Sequence, residues 1–98
     1  MNNPMFYKLI DRIAIPATSE SYYSEPSERR VGDTNINRVR VSTVFLGVNH
    51  QYGDGLPLLF ESMAFNMPCG DLQERCSTWQ QAEVMHEAMC EKVRKITS

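Results

Sequence analysis

The fold of this chain is decided by residues 38–48, which read RVRVSTVFLGV. In an extended chain, alternate residues point to opposite faces. The side chains on one face are Val39, Val41, Thr43 and Phe45. The other face is polar at first and becomes apolar from Val44 onward. This pattern predicts a central strand that is half-exposed at its start and covered on both faces at its end.

A second apolar run, residues 58–65, follows a connection over residues 49–57. Because short connections join antiparallel strands, we expect these two strands to be antiparallel neighbours. A turn with Pro68 and Gly70 comes next, and residues 72–76 predict one more short strand.

The N-terminal third of the chain divides into two parts. Residues 1–16 predict a strand or a hairpin, in which Asp11 and Arg12 form the turn between residues 6–10 and 13–15. Residues 17–37 are polar, with few bulky apolar side chains, which predicts a loop. A loop of this length is unusual in a small domain and is typical of functional or mobile segments.

The C-terminal segment, residues 77–96, predicts a helix. Ser77 and Gln80 fit a capping box, in which each side chain bonds to the backbone of the other residue. Spacings of three and four place one stripe on a single helical face: Trp79, Ala82, His86, Met89, Val93 and Ile96. We therefore expect one α+β domain over residues 1–98, with a small antiparallel sheet of three to five strands and the C-terminal α-helix packed on one face.

Composition restricts the classes of function. A chain of 98 residues with 42% hydrophobic and 22% charged residues is typical of one globular domain. A net charge of −2 argues against nucleic acid as the main partner. The longest apolar stretch, residues 44–48, is too short to cross a membrane, so we expect no membrane partner. Three cysteines and no signal-peptide pattern predict a cytoplasmic protein.

Two groups of residues are candidates for binding. The first is a polar loop with two glycines, whose backbone N–H groups suit a small anion or a nucleotide; its candidate residues are Asn49, His50, Gln51, Tyr52 and Asp54. An ordinary hairpin loop has the same composition. The second combines arginines with tyrosines, the residue types enriched at binding hot spots; its members are Arg29, Arg30, Arg38, Arg40, Tyr22 and Tyr23. A solvated face is the alternative for this group.

A third group has the chemistry of a metal site. Three thiolates and an imidazole form a known tetrahedral zinc set, and the residues concerned are Cys69, Cys76, His86 and Cys90. Their spacing lacks the tight Cys-x-x-Cys knuckle, so we predict no metal and no cofactor and keep this set as an alternative. His86 lies on the apolar stripe, which favours a packed, hydrogen-bonded residue over a proton-transfer group paired with Glu61 or His50.

Several blocks of the sequence form a recognisable pattern. They are RVSTVFLG at residues 40–47 with His50, LLFESM at residues 58–63 with Phe65, Glu74-Arg75, and Ser77-Thr78-Trp79 with Ala82, Glu83 and His86. These blocks resemble a family of small bacteriophage and prophage proteins. The resemblance runs from about Arg30 to Arg94. The family pattern has an acidic residue in place of Asn49 and an aromatic residue in place of Cys76, which counts against a zinc site.

The resemblance implies a viral origin and an accessory role in infection, and it lends no catalytic residues. We therefore expect a non-enzymatic phage or prophage accessory protein that binds a host protein in the cytoplasm of a bacterium. Inhibition of antiviral defence, as by an anti-CRISPR protein, is the role we favour. The alternative is an oligomeric sponge, such as a homodimer, that sequesters a small nucleotide signal. A small enzyme is the least favoured interpretation.

Overall fold

The computed structural model describes residues 6–18, 29–49, 55–68 and 70–98. Its elements are β1 (Phe6–Ile10), β2 (Ile13–Ala17), β3 (Arg30–Ile36), β4 (Val39–Phe45), β5 (Phe60–Phe65), β6 (Leu72–Cys76) and α1 (Trp79–Thr97). Strands β1 and β2 form a two-stranded sheet, and the other four form a second sheet in the order β3-β4-β5-β6. All pairings are antiparallel, and α1 packs against the larger sheet. The predicted α+β class is confirmed.

The two strands expected to be neighbours do pair in antiparallel fashion, with Val41 opposite Ala64. Both are shorter than predicted, covering residues 39–45 and 60–65. Gly47 has a φ of 76°, which ends the extended conformation shortly after Phe45. The short strand predicted at residues 72–76 is also confirmed as β6, at the edge of the sheet.

Both two-residue hairpin turns have positive φ angles, at Asp11 (51°) and Arg12 (66°) and again at Asn37 (49°) and Arg38 (70°). Such primed turns match the twist of the strands they join. The N-terminal hairpin is confirmed. The predicted loop over residues 17–37 is wrong for residues 30–36, which form β3, and Arg38 belongs to the turn and not to a strand. β3 has little apolar character of its own and forms by pairing with β4.

Helix α1 begins two residues later than predicted, and its N-cap is Thr78, not Ser77. The Thr78 hydroxyl accepts a hydrogen bond from the Gln81 N–H at 3.1 Å, and the Gln81 side chain accepts one from the Thr78 N–H at 3.2 Å. The two adjacent glutamines, Gln80 and Gln81, fit the box pattern equally well from Ser77 or from Thr78. Thr78 has the extended backbone of an N-cap residue, with φ −128° and ψ 157°.

The inward stripe of α1 is confirmed for its first five members, while Ile96 is 44% exposed. The core divides into two apolar clusters. The first contains Val39, Val41, Ala64, Met67, Met89, Cys90 and Val93, and the second contains Tyr7, Phe45, Leu59, Phe60, Trp79 and Ala82. The second cluster joins the N-terminal hairpin to the helix start, where the Arg12 guanidinium lies 5.1 Å from the Trp79 ring.

Candidate functional site

A polar layer separates the two apolar clusters, and we call it the His86 layer. It consists of Thr34 on β3, Thr43 on β4, Ser62 on β5 and His86 on α1. The register places Thr43 directly opposite Ser62, so strand pairing alone brings their hydroxyl groups together. His86 is 6% exposed, while Thr43 and Ser62 are fully buried.

The His86 ring is hydrogen-bonded through both of its nitrogens. Its Nδ1 lies 2.7 Å from the Thr43 hydroxyl oxygen, and its Nε2 lies 2.9 Å from the Thr34 hydroxyl oxygen. Thr43 is in turn hydrogen-bonded to the Ser62 hydroxyl. A neutral imidazole donates from one nitrogen and accepts at the other, and hydroxyl groups rotate to match either arrangement. The layer therefore satisfies its own hydrogen-bonding groups in the neutral state.

Burial lowers the pKa of His86 below its usual value, because a charged imidazolium would lose its hydration. The negative charges of Glu87 and Asp33 oppose this shift and raise the pKa of His86 in part. The Thr43 and Ser62 hydroxyls and the imidazole are buried, whereas Thr34 is half-buried. The interpretation of His86 as a packed, hydrogen-bonded residue is confirmed, and its partners are the hydroxyls of Thr34 and Thr43.

The residues kept as an alternative metal site do not form one group in the part of the chain that the structure describes. No set of three or more His, Cys, Asp or Glu side chains there is arranged to hold a metal ion. Cys90 is buried in the first apolar cluster, and Cys76 packs beside the second. Burial raises the pKa of both thiols, which disfavours the thiolate that ligates metals. Cys69 lies outside the described residues.

Two of the four candidate arginines meet at one carboxylate. Arg30 Nη1 lies 2.9 Å from Asp33 Oδ2, and Arg40 Nε lies 3.0 Å from Asp33 Oδ1. Arg40 makes a second bond, from Nη2 to Oδ2 at 3.1 Å, so the pair is bidentate. Hydrogen bonding and charge from Arg40 lower the pKa of Asp33. The Arg30 and Arg40 side chains are 53% and 46% exposed, so the cluster is a solvated face in which both arginines are paired with Asp33.

The other two candidate arginines lie elsewhere. Arg29 Nη1 donates to the Leu46 carbonyl at 3.4 Å, and its guanidinium carbon lies 5.9 Å from the Phe45 ring centroid. Arg38 is exposed in the β3–β4 turn, where its carbonyl accepts a bond from Asn66 at 3.1 Å. The Asn49 side chain accepts a bond from the Leu58 N–H at 3.4 Å. Tyr22, Tyr23 and loop residues 50–54 lie outside the described residues.

The larger sheet has a second face, opposite to α1, which we call the open face. The register and the alternation along the strands place these residues on it: Arg30, Asp33, Asn35, Arg40, Ser42, Val44, Glu61, Met63, Phe65, Gln73 and Arg75. Val44 and Met63 are half-buried, and Phe65 is 38% exposed. None of the described helices or strands packs on this face. The second half of β4 was predicted to be covered on both faces. No described helix or strand provides that cover on the open face.

Charged groups border the apolar centre of the open face on two sides. On one side, on β3 and β4, lies the Asp33 cluster, which consists of Arg30, Asp33 and Arg40. On β5 and β6, Arg75 Nε lies 2.9 Å from Glu61 Oε2, and Gln73 donates to the same oxygen. The sequence pattern points to Arg30 and Arg40, but it does not reveal Asp33, which pairs with both, or the apolar residues beside them. The alternation of Arg40, Ser42 and Val44 was the available signal.

No protein-family description, curated protein or solved structure matches this chain. Among the described residues, no helix is long and apolar enough to cross a membrane.

Proposed function

We propose that this chain is a non-enzymatic binding protein whose open face docks a protein of a bacterial host. The observation that carries the proposal is the open face itself, with Val44, Met63 and Phe65 between two ion-pair groups and no described element packed on them. Protein interfaces have this arrangement, with an apolar centre enriched in Met and aromatic residues and a polar rim that includes Arg.

Rigidity supports the same proposal. Four paired strands and the helix behind them fix the backbone of the open face. Arg40 is held by two bonds to Asp33, so its side chain loses less conformational freedom when a partner binds. A partner that presents a carboxylate near Arg40 and an apolar side chain near Phe65 would complement this surface.

The buried state of the hydroxyl and imidazole groups supports a binding role over catalysis. Ser62, Thr43 and His86 have the residue types of a nucleophile and base, but their atoms contact one another inside the core. A catalytic group must reach its substrate. No observation on the described residues favours the nucleotide sponge.

The resemblance to bacteriophage and prophage proteins supports a bacterial host protein as the class of partner. Within that class, we propose a component of antiviral defence as the target and inhibition as the outcome. Binding to a preformed surface suits an inhibitor, which needs stable contact and no chemistry.

The proposal is tested by affinity capture from a bacterial lysate with three forms of the chain. Wild type should retain a defined host protein, and Phe65→Asp should lose it, because a carboxylate would enter the apolar centre. Ile13→Asp is the matched control. It also replaces an exposed apolar side chain by a carboxylate, but Ile13, which is 62% exposed, lies on the N-terminal hairpin and not on the open face.

Thermal unfolding should first show that both variants are folded. Equal capture by Phe65→Asp and wild type would refute the open face as the docking surface. Failure of wild type to retain any protein above the level of an unrelated control chain would refute the binding role.

A further inference from the structure

The outer edge of β6 carries backbone groups that no other described strand uses. The Leu46 N–H donates to the Leu59 carbonyl at 2.7 Å, which fixes the hydrogen-bonding phase between β4 and β5. Alternate residues of a strand direct their backbone groups to opposite sides, so this bond means that Glu61 and Met63 bond toward β4. Ser62 therefore directs its backbone N–H and C=O toward β6, where it is paired with Glu74. The backbone N–H and C=O groups of Gln73 and Arg75 therefore point outward, away from the sheet.

An apolar groove lies beside this edge, between β6 and the first half of α1. It measures about 450 Å³ and is lined by Glu74, Gln80, Gln81, Val84 and Met85. Val84 is 71% exposed, which is high for a valine next to an apolar groove. A strand added to β6 would place alternate side chains toward this groove.

We propose that the occupant of this edge is β6 of a second copy of the chain, paired antiparallel about a two-fold axis at Gln73. Gln73 then bonds to Gln73 of the second copy, and each Asp71 lies opposite the other copy's Arg75. The phase of β6 suits this register, because residues 71, 73 and 75 all direct their backbone groups outward. Both α1 helices lie on the same face, and their grooves meet.

Charge favours this register over the one with its axis at Glu74. An axis at Glu74 would also satisfy the backbone, but it would set two glutamates directly opposite each other, which is unfavourable. The axis at Gln73 instead creates two opposite-charge pairs between Asp71 and Arg75. Arg75 already bonds to Glu61, and its five N–H donors allow it to bond to a second carboxylate.

The dimer has a structural consequence beyond the proposed function. Its two four-stranded sheets become one of eight strands, and the two open faces become continuous. A two-fold interface of this kind uses the same surface of both copies, so each contact away from the axis, such as that between Asp71 and Arg75, occurs twice.

Sedimentation equilibrium on the full chain tests the interface with a matched pair of proline variants. Gln73→Pro removes an outward N–H from β6, and Asn35→Pro removes an outward N–H from β3, the other edge strand. Wild type and Asn35→Pro should be dimers with similar dissociation constants. Gln73→Pro should raise the dissociation constant by about tenfold to a hundredfold, since two symmetry-related bonds are lost.

A charge reversal provides a second measurement that does not depend on proline. Arg75→Asp should weaken the dimer, and Asp71→Arg combined with Arg75→Asp should restore it. Both variants lose the ion pair between Arg75 and Glu61 within one copy. A tighter dimer in the double variant would therefore come from the restored charge pair between the two copies. A wild-type monomer at concentrations up to about 1 mM, equal effects of the two prolines, or failure of the double reversal to restore the dimer would each overturn the proposal.

Discussion

Gly32 lies directly against the imidazole ring of His86. A Cβ atom built on Gly32 would lie 2.8 Å from both Cδ2 and Nε2 of the ring and 2.9 Å from Cε1. Glycine weakens a strand, and its presence inside one often marks a close approach by another group. Because Gly32 on β3 has no side chain, the His86 ring on α1 has the space to reach both Thr34 and Thr43.

Gly32→Ala should therefore destabilise the protein by about 1–3 kcal/mol, the usual effect of overpacking a filled core. The added methyl group must displace the ring and stretch its bond to Thr34 or Thr43. Urea denaturation of wild type and variant measures the difference in the free energy of unfolding.

A double-mutant cycle with His86→Ala isolates the contact. In the His86→Ala background, the same glycine substitution should have little effect or be stabilising, because the ring is gone and alanine restricts the unfolded chain. Equal losses in the two backgrounds would show that the close approach has no energetic consequence.

The lowered pKa of His86 predicts a loss of stability in mild acid. The unfolded chain takes up a proton near the usual pKa of 6.5, whereas the folded chain does so only at lower pH. The unfolded state thus binds more protons in this range, and the free energy of unfolding falls as the pH drops below 6.5. Above this range, the contribution of His86 is fully present.

Urea denaturation at a series of pH values between about 5.5 and 7.5 measures this dependence while most carboxylates remain ionised. His86→Gln should flatten the profile, since an amide hydrogen-bonds but does not titrate. Asp33, Glu87 and Cys90 also face this part of the molecule, and the variant leaves all three in place. An unchanged slope in His86→Gln would assign the pH dependence to another group.

Trp79→Ala should destabilise the protein by about 3–5 kcal/mol, as is typical when a buried aromatic residue is truncated. Trp79 packs edge-on against Phe60, with 6.2 Å between the ring centroids, and Arg12 lies over its ring. Arg12→Ala should cause a smaller loss of about 0.5–1 kcal/mol. Melting temperatures and urea midpoints measure both effects.

Trp79→Phe is the control for the indole nitrogen. The buried Nε1 has no hydrogen-bond partner among the described residues, so phenylalanine removes ring contacts there but breaks no hydrogen bond. Its loss of stability should be clearly smaller than that of Trp79→Ala. If the two variants were equally unstable, the packing of the large ring would not explain the effect.

The N-cap assignment gives a pair of adjacent substitutions with opposite expectations. Thr78→Ala should destabilise the protein by about 1 kcal/mol, because it removes the hydroxyl that accepts from the Gln81 N–H. Ser77→Ala should have almost no effect, since its side chain takes no part in the capping box. The reverse order, measured by thermal unfolding, would move the helix start back to Ser77.

Local patterns in the sequence determined the elements whose residues supply their own signal. Alternation between valines and polar residues identified β4, and spacings of three and four identified the buried face of α1. These periods follow from backbone geometry and need no knowledge of distant residues. β3 gave no such signal, because its residues become a strand only when β4 supplies the hydrogen-bonding partners.

Only the tertiary structure decided which polar residues meet. His86 was identified on the apolar stripe, but Thr34, Thr43 and Ser62 come from three separate strands, 19 to 52 positions apart in the bonded pairs. The same holds for Asp33, whose bond to Arg40 depends on the register of the β3–β4 hairpin. Periodicity states which face a side chain occupies, while register and helix placement decide what it touches there. The sequence by itself thus determined an α+β domain with a helix on one face of its sheet. Only tertiary packing decided that the open face, with its ion pairs and apolar centre, is left uncovered by the described helix and strands.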